Sequence, residues 1–460
     1  MDSGKPASLR NTRPFSALAS RLWLLSYRLL WQLVSPFVWI YLLRRSIRQP
    51  EYRRHWPERI GIYPSSLKPP NKAFWIWIHA VSLGETRAAQ SLIKALRKRW
   101  PKAGILLTHG TPTGRQAGKD MADAQVYLPY EWSGAIHRFL SFWKPSIGLV
   151  METEIWPLLT HLACREQVPM LLVNGRLSEK SFRKAQTYSP LIRPALEGFD
   201  AFLMQAQADA SRLSALSDLL GPIHVTGNLK FDLELDAILL AQGLRWRKML
   251  IQAHASCRVI VAASTRETEE DIVLAAWKAL IATKKSDQVL FVIVPRHPQR
   301  FDEVAASISS YGFQICRRSS PDFESIWQGP RQSMSELVVL GDSLGEMASW
   351  YSLADVVIMG GSLAGTGSQN LIEPCSASCP VVLGPSIYNF EQAAMEALDA
   401  GAAVQTEAMR AVETALSIIA DPQRQQAMAN AASGFSQAHQ GASEKSVARL
   451  APLLNAFSDA

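Results

Sequence analysis

The tetrapeptide Ser82-Leu83-Gly84-Glu85 holds a hydroxyl and a carboxylate three residues apart, the spacing with which a capping box closes the first turn of a helix. A carboxylate placed there stays ionised beside the positive end of the helix dipole. Glu85 reads either as a helix cap and no more or as the chemical centre of an enzyme. The same four residues recur at Ser343-Leu344-Gly345-Glu346, and Asn370 and Glu373 repeat the spacing. Other groups able to do chemistry stand in "LVMETEIWP" (Glu152 and Glu154), "NGRLSEKS" (Asn174, Arg176 and Ser178), "TGNLKFD" (Lys230) and "VIVPRHPQRF" (Arg296 and His297). Each alone has an ordinary structural explanation: a solvated Glu154, a Lys230 paired with Asp232, a His297 closing a turn. What joins them is position, because each follows a short apolar run.

Those runs are the elements that must position the chemistry. "FWIWIHAV", "GILLTHG", "SIGLVME", "PMLLVNG", "DAFLMQ" and "IHVTGN" read as strands, separated by helices such as 85–99. After a polar helical stretch near 236–256 the pattern resumes with "RVIVAAS", "QVLFVIVPRHP", "FQICR", "ELVVLGD", "DVVIMGGS" and "PVVLGP". Continuous apolar runs between helices mark parallel strands buried on both faces. Two such series predict an α/β chain of two doubly wound domains. Ligands of such folds bind at the carboxyl ends of the strands, and the two domains are expected to face one another across a cleft. The Pro- and Ser-rich residues 60–73 read as a linker. The expected segments are a basic, hydrophobic front at 1–59, an α/β domain at 60–240 and a second at 241–460.

The chain has 460 residues, 48% hydrophobic and 19% charged, with a net charge of +8. That is the composition of a core-forming protein and not of a disordered one. Much of the positive excess lies at the front, in Arg10, Arg13, Arg21, Arg28, Arg44, Arg45, Arg48, Arg53 and Arg54. Residues 22–43, "LWLLSYRLLWQLVSPFVWIYLL", match the ~20 residues of a bilayer span, but Arg28, Gln32 and Pro36 interrupt them. No small-residue cleavage site accompanies the segment, and its aromatic residues and flanking arginines are what membrane interfaces attract. It is expected to anchor the chain to a membrane, as an imperfect span or an interfacial helix. The competing expectation is an amphipathic helix packed on the protein's own core. Nucleic-acid binding would interleave aromatics with Lys and Arg on a polar surface. Here they meet only in this hydrophobic segment, so no nucleic-acid partner is expected. The five cysteines, Cys164, Cys257, Cys316, Cys375 and Cys379, lack zinc spacing and read as reduced thiols. "GRQAGKD" falls one residue short of a phosphate-binding loop, and no metal-clamp or nucleophile-elbow motif appears. The glycine-rich "GGSLAGTGSQN" still offers backbone N–H groups to a phosphate. A phosphate-bearing ligand is expected, held with neither an obligatory metal nor a cofactor.

Together, "HAVSLGE", "ETEIWP", "NGRLS", "GNLKFD", "VPRHPQRF", "GDSLGE", "GGSL" and "NLIEP…GP…NF" resemble the motifs of the 3-deoxy-D-manno-octulosonic acid (Kdo) transferases of Gram-negative lipopolysaccharide assembly. They come in the family's order over nearly all of the globular chain. The resemblance implies a GT-B fold attached by its N-terminus to the cytoplasmic side of the inner membrane. It implies inverting, metal-independent transfer of Kdo from CMP-Kdo to a lipid A precursor (lipid IVA). Glu85 would be the general base that deprotonates the glucosamine 6-hydroxyl as it attacks Kdo C2. Glu152, with Glu154 the weaker candidate, and Lys230 would act in the transition state. CMP would be held by Pro295, Arg296, the Leu344-Gly345-Glu346 turn and Asn370-Leu371-Ile372-Glu373. Glu373 would accept from ribose hydroxyls, and the "GGSL" and "SQN" backbones would face the phosphate. The basic front and the helix face with Arg87, Lys94, Arg97 and Lys98 read either as a grip for lipid A phosphates and anionic headgroups or, for the helix face, as ordinary solvated charge. Two departures fall on the donor side: Ser368-Gln369-Asn370 replaces the usual Gly-His-Asn, and Arg266 stands where the family reads S-T-H. The alternatives are another GT-B glycosyltransferase using a UDP-sugar, and a non-catalytic sugar-nucleotide-binding protein.

Overall fold

A computed structural model describes residues 18–68, 72–232, 235–281, 288–327 and 334–458; Arg10, Arg13 and part of the 60–73 linker lie outside the described residues. The chain divides into two compact units, one of residues up to Leu233 together with Gln440–Ala460, the other Glu234–His439.

In the first unit β1 (Trp75–His79), β2 (Gly104–His109), β3 (Ala124–Tyr127), β4 (Ile147–Met151), β5 (Met170–Gly175), β6 (Ala201–Met204) and β7 (Ile223–Val225) build one sheet. Its order is β3-β2-β1-β4-β5-β6-β7, and every pairing is parallel. The second unit contains β8 (Arg258–Thr265), β9 (Val289–Pro295), β10 (Gln314–Arg317), β11 (Leu337–Leu340), β12 (Val356–Met359), β13 (Val381–Leu383) and β14 (Ala403–Gln405). Their order is β10-β11-β9-β8-β12-β13-β14, again all parallel. The winding of each sheet reverses once, between β1 and β4 and between β8 and β12. At such a reversal the loops leaving neighbouring strands diverge and open a crevice at their carboxyl ends.

The residues of β1 show how the layers arise. All of "WIWIH" is buried, and successive side chains point to opposite faces. Trp75 and Trp77 enter one core with Phe139 and Trp143. Ile76 and Ile78 enter the other, with Leu92 and Leu96 of the helix Leu83–Arg99. That helix ends before Trp100-Pro101, where proline disfavours helical backbone in the residue preceding it. The last helix, Ala442–Ser458, adds Leu450, Leu453 and Leu454 to the same core.

The helix Leu18–Arg48 runs for 31 residues through Pro36. One side packs on the first unit: Leu24 and Leu42 are buried, Trp31 stacks on Tyr130 and Trp39 meets Trp56. This much agrees with the competing expectation of a helix packed on the core. The other side leaves Leu18, Trp23, Leu29, Leu33, Phe37 and Ile47 exposed. Among the described residues no helix is long and apolar enough to cross a membrane; Arg28, Gln32 and Ser35 interrupt this one.

Candidate active site

Glu85 stands in the first turn of the helix that follows β1. Its backbone N–H donates to Ser82 Oγ at 3.3 Å, the Ser82 hydroxyl donates to Oε1 at 2.7 Å, and the Val81 N–H donates to Oε2 at 2.8 Å. The cap is therefore real, but it occupies only part of a carboxylate's lone-pair capacity. The residue keeps 8% of its surface exposed. Burial raises its pKa, against the opposing effect of the Ser82 and Val81 hydrogen bonds; more weakly, Glu152 raises it and Lys230 lowers it.

Glu152 follows β4, so it and Glu85 flank the reversal in the sheet. Its φ of 55° is left-handed, a strain of about 1–3 kcal/mol for such a side chain, of the kind that collects at active sites. Lys230 Nζ lies 2.9 Å from Glu152 Oε1. Burial, and then the charge of Glu85, push Glu154 up to about 7. Glu85, Glu152, Glu154 and Lys230 thus form one electrostatic cluster.

Lys230 reaches this cluster although β7 is the edge of the sheet. It sits on the 3-10 turn Leu229–Asp232. The Leu229 N–H donates to Asn174 Oδ1 at 2.9 Å, and its carbonyl accepts from Ser91 Oγ at 3.3 Å. Asp232 does not pair with Lys230, as its spacing had allowed. Its carboxylate instead accepts the N–H groups of Gly441, Ala442 and Ser443 and caps the last helix. Of the basic residues expected to grip an anionic acceptor, Arg97 is paired with Asp123 at 3.2 Å.

The candidate donor residues lie in the second unit. Arg296 follows β9 and its N–H donates to the Thr265 carbonyl at 2.8 Å. Burial lowers the pKa of His297, and the charges of Arg266 and Arg296 lower it further, so cations gather at the ends of β8 and β9. Pro295 closes β9, in register with Thr265. Leu344 is 74% exposed and Gly345 is left-handed at φ 81°. The Glu346 carboxylate accepts two hydrogen bonds from Arg318, at 3.0 and 2.8 Å, while that guanidinium lies over Trp246 and Phe323. Asn370 donates to Glu373 Oε1 at 3.0 Å and accepts the Ile372 N–H at 3.1 Å. Leu371 and Ile372 are buried, and the Ile372 carbonyl accepts from Ser376 Oγ at 2.9 Å.

The glycine-rich turn departs from expectation. The N–H groups of Gly361, Leu363 and Ala364, expected to face a phosphate, donate to the carboxylate of Glu269, at 2.7, 2.8 and 3.2 Å. Glu269 also takes the Arg266 N–H at 2.9 Å. An internal anion has taken the place proposed for an external one. The Gln369 N–H is likewise taken, by the Gly360 carbonyl, and Gly367 donates to Ser386. Sequence reasoning missed Glu269, and its only signal was an acid four residues past the apolar run of β8. Among the described residues, no three His, Cys, Asp or Glu side chains are grouped to hold a metal ion.

Residues 54–233 match the family model for 3-deoxy-D-manno-octulosonic-acid transferase (kdotransferase). A 3-deoxy-D-manno-octulosonic acid transferase of Bordetella pertussis is 41% identical over 429 residues, 91% of this chain and 96% of that protein. One of Haemophilus influenzae is 32% identical, over 81% of this chain and 84% of its own. The structure of UDP-GlcNAc 2-epimerase from Neisseria meningitidis matches 82% of this chain and 100% of its own at a TM-score of 0.52 and 16% identity, a likeness of fold alone. The two doubly wound units are of the GT-B type, and with these relatives the chain is a glycosyltransferase. It belongs to the Kdo transferase family.

Proposed function

We propose that this protein transfers Kdo from CMP-Kdo to a lipid A precursor by an inverting, metal-independent displacement at the cytoplasmic face of the inner membrane. Glu85 takes the proton from the glucosamine 6-hydroxyl as that oxygen bonds to Kdo C2. The bond from C2 to the phosphate oxygen breaks with its electron pair, and CMP departs. Lys230, held by Glu152, offsets negative charge growing on the leaving phosphate. Pro295, Arg296, the Leu344–Glu346 turn and Asn370–Glu373 hold the nucleotide, with the cations at the ends of β8 and β9 matching its phosphate.

The observation that carries this reading is the state of Glu85. Its carboxylate is oriented by two hydrogen bonds and raised in basicity by burial, while the neighbouring lysine is engaged by Glu152. The exposed apolar side of the Leu18–Arg48 helix supports residence at a bilayer surface, where a lipid acceptor is found. The test incubates the full chain with CMP-Kdo and tetra-acylated lipid A precursor in anionic vesicles and weighs the lipid. A mass gain of whole Kdo units is expected, unchanged by a chelator and absent with UDP-sugars. No gain from folded protein, or a gain abolished by chelation, overturns the reading.

A further inference from the structure

We infer that Asn174 is a positioning residue that holds the Lys230–Glu152 pair together, a role that rests on the reading of Lys230 given above. Asn174 is wholly buried and left-handed at φ 56°. The pairing of β5 with β6 slips there, between Val173 and Gly175. An irregularity of this kind re-aims a side chain away from the alternation of its strand.

Consecutive residues then grip both halves of the ion pair. The Val173 carbonyl accepts the Glu152 N–H at 2.9 Å. Asn174 Oδ1 accepts the N–H of Leu229, the residue before Lys230, at 2.9 Å. The Asn174 carbonyl is itself braced by Gln205 Nε2 at 2.9 Å. The side-chain nitrogen, in contrast, has no hydrogen-bond partner, and a buried donor left unmade costs stability. Glycine would adopt the left-handed backbone more easily and leave no orphaned donor. What asparagine supplies and glycine cannot is the fixed oxygen that receives Leu229.

The test compares Asn174→Gly, Lys230→Ala and the double variant in steady-state Kdo transfer. Asn174→Gly keeps the backbone hand and removes the acceptor. Its kcat is expected to fall roughly tenfold to a hundredfold, as for a small misplacement of a reacting group, with the KM for CMP-Kdo nearly unchanged. The acidic limb of its kcat–pH profile is expected to move to higher pH, because Lys230 is among the groups that lower the pKa of Glu85. The double variant should fall no further than Lys230→Ala, the mark of a residue acting through another. Asn174→Asp keeps the acceptor oxygen and should retain most of the lost rate, and it serves as the test if the glycine variant does not fold. Wild-type kcat and pH limb in Asn174→Gly beside an impaired Lys230→Ala, losses that simply add, or an aspartate variant as poor as the glycine one would each overturn the role. Full activity in Lys230→Ala would instead sink the reading of the lysine itself.

Discussion

The sequence Ser-Leu-Gly-Glu occurs twice, at 82–85 and at 343–346, and the two copies take different forms. In the first, Gly84 and Glu85 lie inside the helix that follows β1, and the carboxylate is oriented only by Val81 and Ser82. In the second, Gly345 turns left-handed and leaves Glu346 at the N-cap of the helix Met347–Leu353. There Arg318 and the Ser343 hydroxyl close around it. One copy holds a buried carboxylate hydrogen-bonded by Val81 and Ser82; the other holds a carboxylate engaged by an arginine. The backbone hand at one glycine and the placement of one arginine separate the two outcomes, and neither lies within the tetrapeptide's side chains.

The widest gap should appear in catalysis. Glu85→Gln is expected to lower kcat about 10²–10⁴-fold, the range for loss of a general base, with the KM for CMP-Kdo little changed. Glu346→Gln should raise that KM and leave kcat within a few-fold. Equal losses of kcat in the two variants would erase the distinction. The wild-type rate should also fall as pH drops through a pKa above the ordinary carboxylate value, because the base must be ionised and burial has raised Glu85.

A smaller difference should separate the glycines. Alanine at Gly345 would meet no atom within 4 Å, so its cost is the left-handed backbone, about 1–2 kcal/mol in thermal unfolding. Alanine at Gly84 would approach only Ser82 Oγ, at 3.9 Å, and should stabilise by about 0.4–1 kcal/mol. Two changes of the same sign would mean that the copies share one backbone.

An effect comparable to those at the glycines, but confined to higher pH, should come from Glu154→Gln. The folded pKa of Glu154 is raised from 4.5 to about 7, so its favourable contribution is complete below 4.5 and is lost as pH rises through about 7. The variant should match wild type in acid and exceed it above neutrality by on the order of 1 kcal/mol in chemical unfolding. A variant less stable than wild type at high pH would contradict the repulsion assigned between Glu154 and Glu85.

The strands that position the site were legible because each is a continuous apolar run buried on both faces, as in β1 and β9. The strands that escaped, β3 and β14, are the outermost of their sheets and only four and three residues long. With Gln125 in one and Gln405 in the other, they are too short and too polar to stand out. Glu85, Glu152 and Lys230 were legible as polar residues just beyond strand ends. The left-handed turn at Glu152 and the path that brings Lys230 from the sheet edge were not, since both depend on partners distant in sequence. Glu269 was hidden among the acids of "TRETEED", where nothing in the spacing separates it from Glu267 and Glu270. The return of the last helix was also hidden, because apolar residues such as Leu450 and Leu454 do not say which unit they will cover.

That return has a consequence for biosynthesis. The helix Ala442–Ser458 is made after the strands of both sheets, yet it completes a core begun hundreds of residues earlier, and its first N–H groups fasten Asp232, two positions from Lys230. A nascent chain halted before Gly441 would contain both sheets and every candidate catalytic group. It would still lack the N–H groups that fasten Asp232, and with them one anchor of the turn that carries Lys230.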